Sequence, residues 1–152
     1  MQKMNRLLIA TAIGALMACG GSPTTPTYAS IGGSYELTIT ASSSCSANLP
    51  SETRVLKYVA NVSSGPTFQV VLAGNVLWNS FAVHGTVSGP KVTFADFSFS
   101  EATTGGGIAF NGTGTVDVAA DGSITGTVGG KYQTPSGAAC IAGNHQIQMV
   151  KK

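Results

Sequence analysis

Residues 108–132 read IAFNGTGTVDVAADGSITGTVGGKY, and their alternation decides the fold. Ile108, Phe110, Val116 and Val118 share one parity and oppose Asn111, Thr113, Thr115 and Asp117. Ile124, Val128 and Tyr132 oppose Thr125, Thr127 and Lys131 in the same way. Successive side chains of an extended chain point to opposite faces, so a period of two describes a strand with one buried face. Between the two runs lies Ala120-Asp121-Gly122, which has the chemistry of a tight hairpin turn. The stretch therefore predicts two antiparallel strands. Asn111-Gly112 is a competing turn signal, but the alternation continues through it, and it reads as strand interior.

The pattern extends outward, and no helical period of convincing length follows Ser30. Tyr35, Leu37 and Ile39 alternate with Glu36, Thr38 and Thr40. Leu56, Tyr58, Ala60 and Val62 alternate with Val55, Lys57, Val59 and Asn61. Phe68, Val70 and Leu72 share a face against Gln69, and Phe81, Val83 and Val87 oppose His84 and Thr86. Val92 and Phe94 share a face, whereas Phe97 and Phe99 fall out of phase, which places a bulge near Asp96. Finally His145, Ile147 and Met149 oppose Gln146 and Gln148. About eight strands result.

The links alternate in length. Short turns fall at 63–66, 88–90 and 120–122, and longer links at 41–51, 74–80, 100–107 and 135–144. In an up-and-down meander alternate links share an end, so short turns close one end and longer loops rim the other. The fold class is all-β, an antiparallel up-and-down β-barrel over residues 31–152. A β-sandwich is the alternative. The immunoglobulin pattern fits poorly, because Trp78 and the wide separation of the cysteines do not match its Cys, Trp, Cys spacing.

The 152 residues suffice for one domain. Charged residues make up 9% and apolar residues 43%, a balance that argues against a disordered chain. Lys3 and Arg6 precede the domain; the remaining six basic side chains face six acidic ones, so the rest of the chain carries no net charge. That excludes a composition-based case for nucleic-acid binding, which needs a basic face.

The first 19 residues, MQKMNRLLIATAIGALMAC, begin with Lys3 and Arg6 and continue as an apolar run from Leu7 to Met17. The run is too short to span a bilayer, which takes about 20 apolar residues, and suits a signal peptide. Leu16-Met17-Ala18-Cys19 resembles the lipobox of bacterial lipoproteins. The resemblance implies that residues 1–18 are removed, that Cys19 carries the lipid, and that the protein is held in the cell envelope through that membrane anchor. Cys19 is followed by Gly20 rather than Asp, which in a Gram-negative source implies the outer membrane. Residues 19–30 continue as GGSPTTPTYAS after Cys19 and read as a flexible tether.

With Cys19 lipidated, Cys45 and Cys140 remain, and an exported chain with two cysteines favours a disulfide. Cys45 follows the first strand and Cys140 precedes the eighth. In a closed barrel those strands are neighbours, and the bridge would staple the seam. The polar face, with Glu36, Gln69, Asp117, Lys131 and Gln148, suits a wall turned to water around an apolar filling rather than a barrel in a bilayer.

Catalytic chemistry is not legible. No nucleophile elbow occurs, residues 107–114 lack the ending of a phosphate loop, and the six carboxylates are scattered. His84 and His145 are isolated, so no metal or cofactor is expected and the chain does not read as an enzyme. In architecture alone the barrel resembles lipocalins and avidins. By that resemblance a small, mostly apolar ligand would enter at the long-loop end, against Tyr35, Leu37, Tyr58, Phe68, Phe81, Tyr132 and His145. Gly85, Gly112, Gly114, Gly126 and Gly130 fall on the apolar face, where the missing side chains either leave room for a cavity or permit strong strand coiling without one. The alternative is a non-catalytic interaction module contacting another envelope component, with Leu77 and Trp78 in the third connection as contacts. Cys19→Ala is expected to abolish incorporation of a palmitate analogue and release the protein from the membrane fraction; unchanged labelling of the variant would remove the lipoprotein reading.

Overall fold

The computed structural model describes residues 29–45, 47–73, 78–101, 108–134 and 137–152. The leader, Cys19, the tether as far as Tyr28, and Leu77 lie outside the described residues, as do the side chains of Trp78 and Phe81. Eight strands follow in order: β1 Gly33–Thr40, β2 Val55–Val62, β3 Thr67–Ala73, β4 Trp78–Ser88, β5 Lys91–Glu101, β6 Ile108–Val118, β7 Ile124–Gln133 and β8 Ala139–Lys151. Each pairs antiparallel with its sequence neighbours, and the sheet closes on itself as an up-and-down barrel. Closure runs from Tyr35 opposite Lys151 to Thr40 opposite Gln146. The sandwich alternative is thereby excluded.

The wall follows the alternation. Tyr35, Leu37 and Ile39 are buried, as are Phe110, Val116, Ile124, Val128 and Tyr132, while Thr113, Thr115, Asp117 and Thr125 face out. Three bulges reset the parity. On β5, His84 pairs with Asp96 but Gly85 with Phe94, leaving Ala95 as the extra residue. Phe94 and Phe97 can therefore both point inward, at 1% and 0% exposure. On β8, Val128 pairs with His145 but Gly130 with Ala142, so the extra residue falls at Gly143–Asn144. On β4 the register slips between Trp78 and Ser80.

Two expectations are corrected by these bulges. The eighth strand begins at Ala139, not at His145, and Trp78 opens β4 rather than lying in a connection. The links between β3 and β4 and between β7 and β8 consequently shrink to 74–77 and 134–138. These are no longer than the turns 63–66 and 119–123 at the other end. Only 41–54 and 102–107 remain long, so the ends differ less than the alternation alone implies.

Of the two readings of the inward glycines, close packing without a cavity is the one their surroundings fit among the described residues. A β-carbon on Gly85 would meet the Thr93 carbonyl and lie 2.9 Å from Phe68 Cε1. One on Gly112 would lie 2.8 Å from Phe110 Cζ, and one on Gly126 2.7 Å from Val116 Cγ1. Gly114 is overlain by Val128, and Gly130 abuts the Asn111 carbonyl. The space of the missing side chains is taken by a neighbouring ring or branched chain at Gly85, Gly112, Gly114 and Gly126 and by close-approaching backbone at Gly85, Gly112 and Gly130, the packing that glycine permits in curved sheets. The rings run edge to face down the interior: Phe68 to Phe94 at 5.5 Å, Phe94 to Phe97 at 5.1 Å, Phe97 to Phe110 at 5.6 Å.

The short-turn end is closed by the segment entering β1. Ile31 is fully buried, and the Tyr35 hydroxyl donates to the Ile31 carbonyl at 2.7 Å, with the Gly122 carbonyl 3.1 Å away. The Ala29 amide donates to the Gly89 carbonyl, so contact with the barrel begins two residues before Ile31. Gly85→Ala is expected to lower stability by about 1–3 kcal/mol through overpacking. Gly143→Ala, where nothing lies within 4 Å of the added carbon, should stay within about 0.5 kcal/mol of the parent. Urea unfolding of both variants checks the contrast, and equal losses would contradict the packing.

Candidate functional site

The seven residues expected to line one ligand site are spread along the whole barrel. Tyr35 sits at the short-turn end, where its hydroxyl bonds Ile31 and Gly122 carbonyls. Phe68, early in β3, packs on Phe94 near that same end. Leu37 is buried at mid-height opposite Tyr58. Tyr58 is half-buried and meets the edge of Phe99 at 5.8 Å. The backbone of Phe81 pairs with Phe99. Among the described side chains of the seven, Tyr132 and His145 meet directly at the end holding the 41–54 link, with ring centroids 5.9 Å apart. Tyr35 and Phe68 are thus corrected as members of a long-loop site: strand direction puts them at the opposite end.

Around Tyr132 and His145 a tight cluster forms. Phe110 stands edge-on to His145 at 5.4 Å and to Tyr132 at 5.8 Å. Above them passes the chain between β1 and β2, described at 41–45 and 47–54. Its Cys45 and Leu49 are buried at 0% and 2% exposure. It is fastened at several points. Cys45 is disulfide-bonded to Cys140 at the start of β8, with Cα atoms 5.5 Å apart. The Tyr132 hydroxyl donates to the Thr53 carbonyl at 2.6 Å. The Ala41 amide donates to the Arg54 carbonyl, which pinches the ends of the crossing together. Arg54 Nε donates to the Leu49 carbonyl at 3.0 Å, holding the apex down. The disulfide therefore joins the loop after β1 to β8 beside the closing seam, as the cysteine positions implied.

His145 is the fifth fastening. The Ser42 amide donates to His145 Nδ1 at 3.1 Å, and Nε2 lies 3.1 Å from the Gly130 carbonyl. A backbone N–H can only donate and a carbonyl only accept, so Nδ1 is bare and Nε2 carries the proton. The imidazole is neutral, fully buried and satisfied on both sides. Desolvation pushes its pKa below the ordinary imidazole value, against the smaller opposing pull of the Gly130 carbonyl. Such a ring is not poised as a general base, because taking a proton would cost it the Ser42 bond. At the opposite end burial, reinforced by nearby Asp121, pushes the Tyr35 phenol up.

Among the described residues no group of three metal-ligating side chains converges. Three concavities are described. One of 580 Å³ sits at the short-turn end between Ala29, Pro90, Val118, Ala120 and Lys151. Two smaller ones are lined mostly by outward wall residues, one by Ser98, Asn111 and Lys131 beside Phe99 and Phe110, the other by Thr38, Thr125 and Gln146 beside Ile147. The sequence reading missed Ser42, Leu49 and Thr53. Ser42 and Thr53 act through backbone groups, which carry no residue signature; Leu49 lies outside any periodic run.

The chain matches no protein-family model, no curated protein and no solved structure. Removing the disulfide with Cys45→Ser and Cys140→Ser together is expected to cost about 2–4 kcal/mol, since it frees a loop spanning most of the domain. Equilibrium unfolding of the variant against the oxidised parent measures it, and an unchanged midpoint would contradict the bridge as a stabilising fastening.

Proposed function

We propose that the chain is a lipid-anchored envelope protein whose barrel serves as a rigid, non-catalytic interaction module. The observation that carries this is the filled interior. Rings from Phe68 to Phe110, continued by Tyr132 and His145, occupy the axis where a carrier barrel would hold its ligand. The outer wall carries Thr38, Lys57, Gln69, Thr93, Thr115, Asp117, Lys131 and Gln148, which is the reverse of a bilayer-facing wall. It also leaves Val55, Val59, Val71 and Ile141 exposed, at 47%, 40%, 55% and 78%. Lipid attachment at Cys19 would hold this module at the membrane, with the chain entering the barrel at the short-turn end.

Carriage of a small apolar ligand, the lipocalin-like reading, ranks below it because the described interior is occupied by the protein's own side chains. Native mass spectrometry of protein extracted gently from its source separates the two. The expected spectrum is that of the acylated chain, alone or with a protein partner. A stoichiometric small molecule that leaves on activation would overturn the interaction reading in favour of carriage.

A further inference from the structure

At the 41–54 end one hydrogen bond is chemically unlike its neighbours. The disulfide and the Tyr132-to-Thr53 bond keep their character across the ordinary pH range. The bond from the Ser42 amide to His145 Nδ1 does not. Nε2 is already committed to the Gly130 carbonyl, so an incoming proton has only Nδ1 to occupy. Once it does, two N–H groups face each other at a distance where one of them must leave. No compensating charge stands nearby among the described groups around the ring. Phe110 on β6, Gly130 and Val128 on β7 and Ser42 above are uncharged. Cys45 and Cys140 are bonded to each other, and the titratable group facing the imidazole is the phenol of Tyr132, whose hydroxyl donates to Thr53.

We propose that the turn Ser42–Cys45 is an acid-released lid: a proton on His145 Nδ1 expels the Ser42 amide and lifts the turn off the imidazole, with the Cys45–Cys140 disulfide as its hinge, while the Tyr132 bond to Thr53 holds the far side of the crossing. Opening admits water to His145, which is fully buried in the closed state. The sign follows from burial. In the closed state the imidazole titrates below its ordinary value; once wetted it returns to about 6.5. The closed lid is therefore fully favoured above that pH. The open-to-closed ratio rises up to about tenfold per pH unit as pH falls from there toward the closed-state value. The inference does not depend on what the module contacts.

Hydrogen exchange of the oxidised full chain in detergent, corrected for intrinsic rates and followed at about pH 7.5 and about pH 5 on either side of the ordinary imidazole value, tests the lid. The amide of Ser42 and peptides covering 42–45 should lose protection at the lower pH, while β5 and β6 keep theirs. His145→Gln retains an amide acceptor and donor but cannot titrate, and its lid protection should not change with pH. Should that variant fail to fold, the imidazole nitrogen shifts of the parent serve instead: Ser42 exchange must rise along the same curve as Nδ1 protonation. Unchanged Ser42 protection, loss spread equally over all strands, a pH response that survives His145→Gln, or exchange that does not follow Nδ1 would each overturn the proposal.

Discussion

An eight-stranded barrel has an interior only wide enough for the side chains of its own wall, and in this chain that narrowness governs the packing at every level. Some inward rings face one another, as Phe99 and Tyr132 do Phe110, and others lie where a nearby position gives up its own side chain. Phe68 lies over Gly85, Phe110 over Gly112, and Val116 against Gly126. Ring and glycine are two halves of one packing unit, set on neighbouring or nearby positions of the wall. The bulge at Ala95 belongs to the same constraint: by shifting the register one residue against both β4 and β6, it lets Phe94 and Phe97 enter the interior from one strand. The high glycine content thus permits dense packing instead of signalling empty space.

The two ends are finished by chain rather than by strands. At the short-turn end the entering segment brings Ile31 and the Tyr35 hydroxyl against the turn carbonyl of Gly122. At the other, the long crossing lays Cys45 and Leu49 over the Phe110, Tyr132 and His145 cluster. The fastenings there are complementary in kind. The disulfide is covalent and fixes position, the Tyr132 hydroxyl satisfies a carbonyl, and His145 bridges β7, β8 and the crossing through two backbone groups. A buried polar ring is tolerable in so apolar a setting because both of its nitrogens are paired and it carries no charge.

Function is separable from this scaffold. Among the described residues no three metal-ligating side chains converge, and the proposed interaction role rests on the occupied interior and on the reading of the leader. Val55 and Val59 on β2 and Val71 on β3 are exposed apolar side chains of the wall.

By itself the sequence determined the strand class, the approximate number of strands, the bulge near Asp96 and the pairing of Cys45 with Cys140. The first three rest on local parity, and the disulfide on setting Cys19 aside by its lipobox resemblance: a strand's two faces are written in alternate residues, and a slip of phase is visible when large apolar residues stand on both sides of it. The start of β8 was not legible, because Gly143 and Asn144 reset the phase with residues that carry no hydrophobic mark. The occupancy of the glycine positions was not legible either. An absent side chain reads the same whether its space is void or filled by Phe68 or Phe110 from elsewhere in the chain. His145 was legible as an inward residue, but its tautomer and its task were decided by the Ser42 amide and the Gly130 carbonyl. Every residue except proline offers that amide, and every residue that carbonyl, so only tertiary structure, by choosing which ones reach the imidazole, could select them.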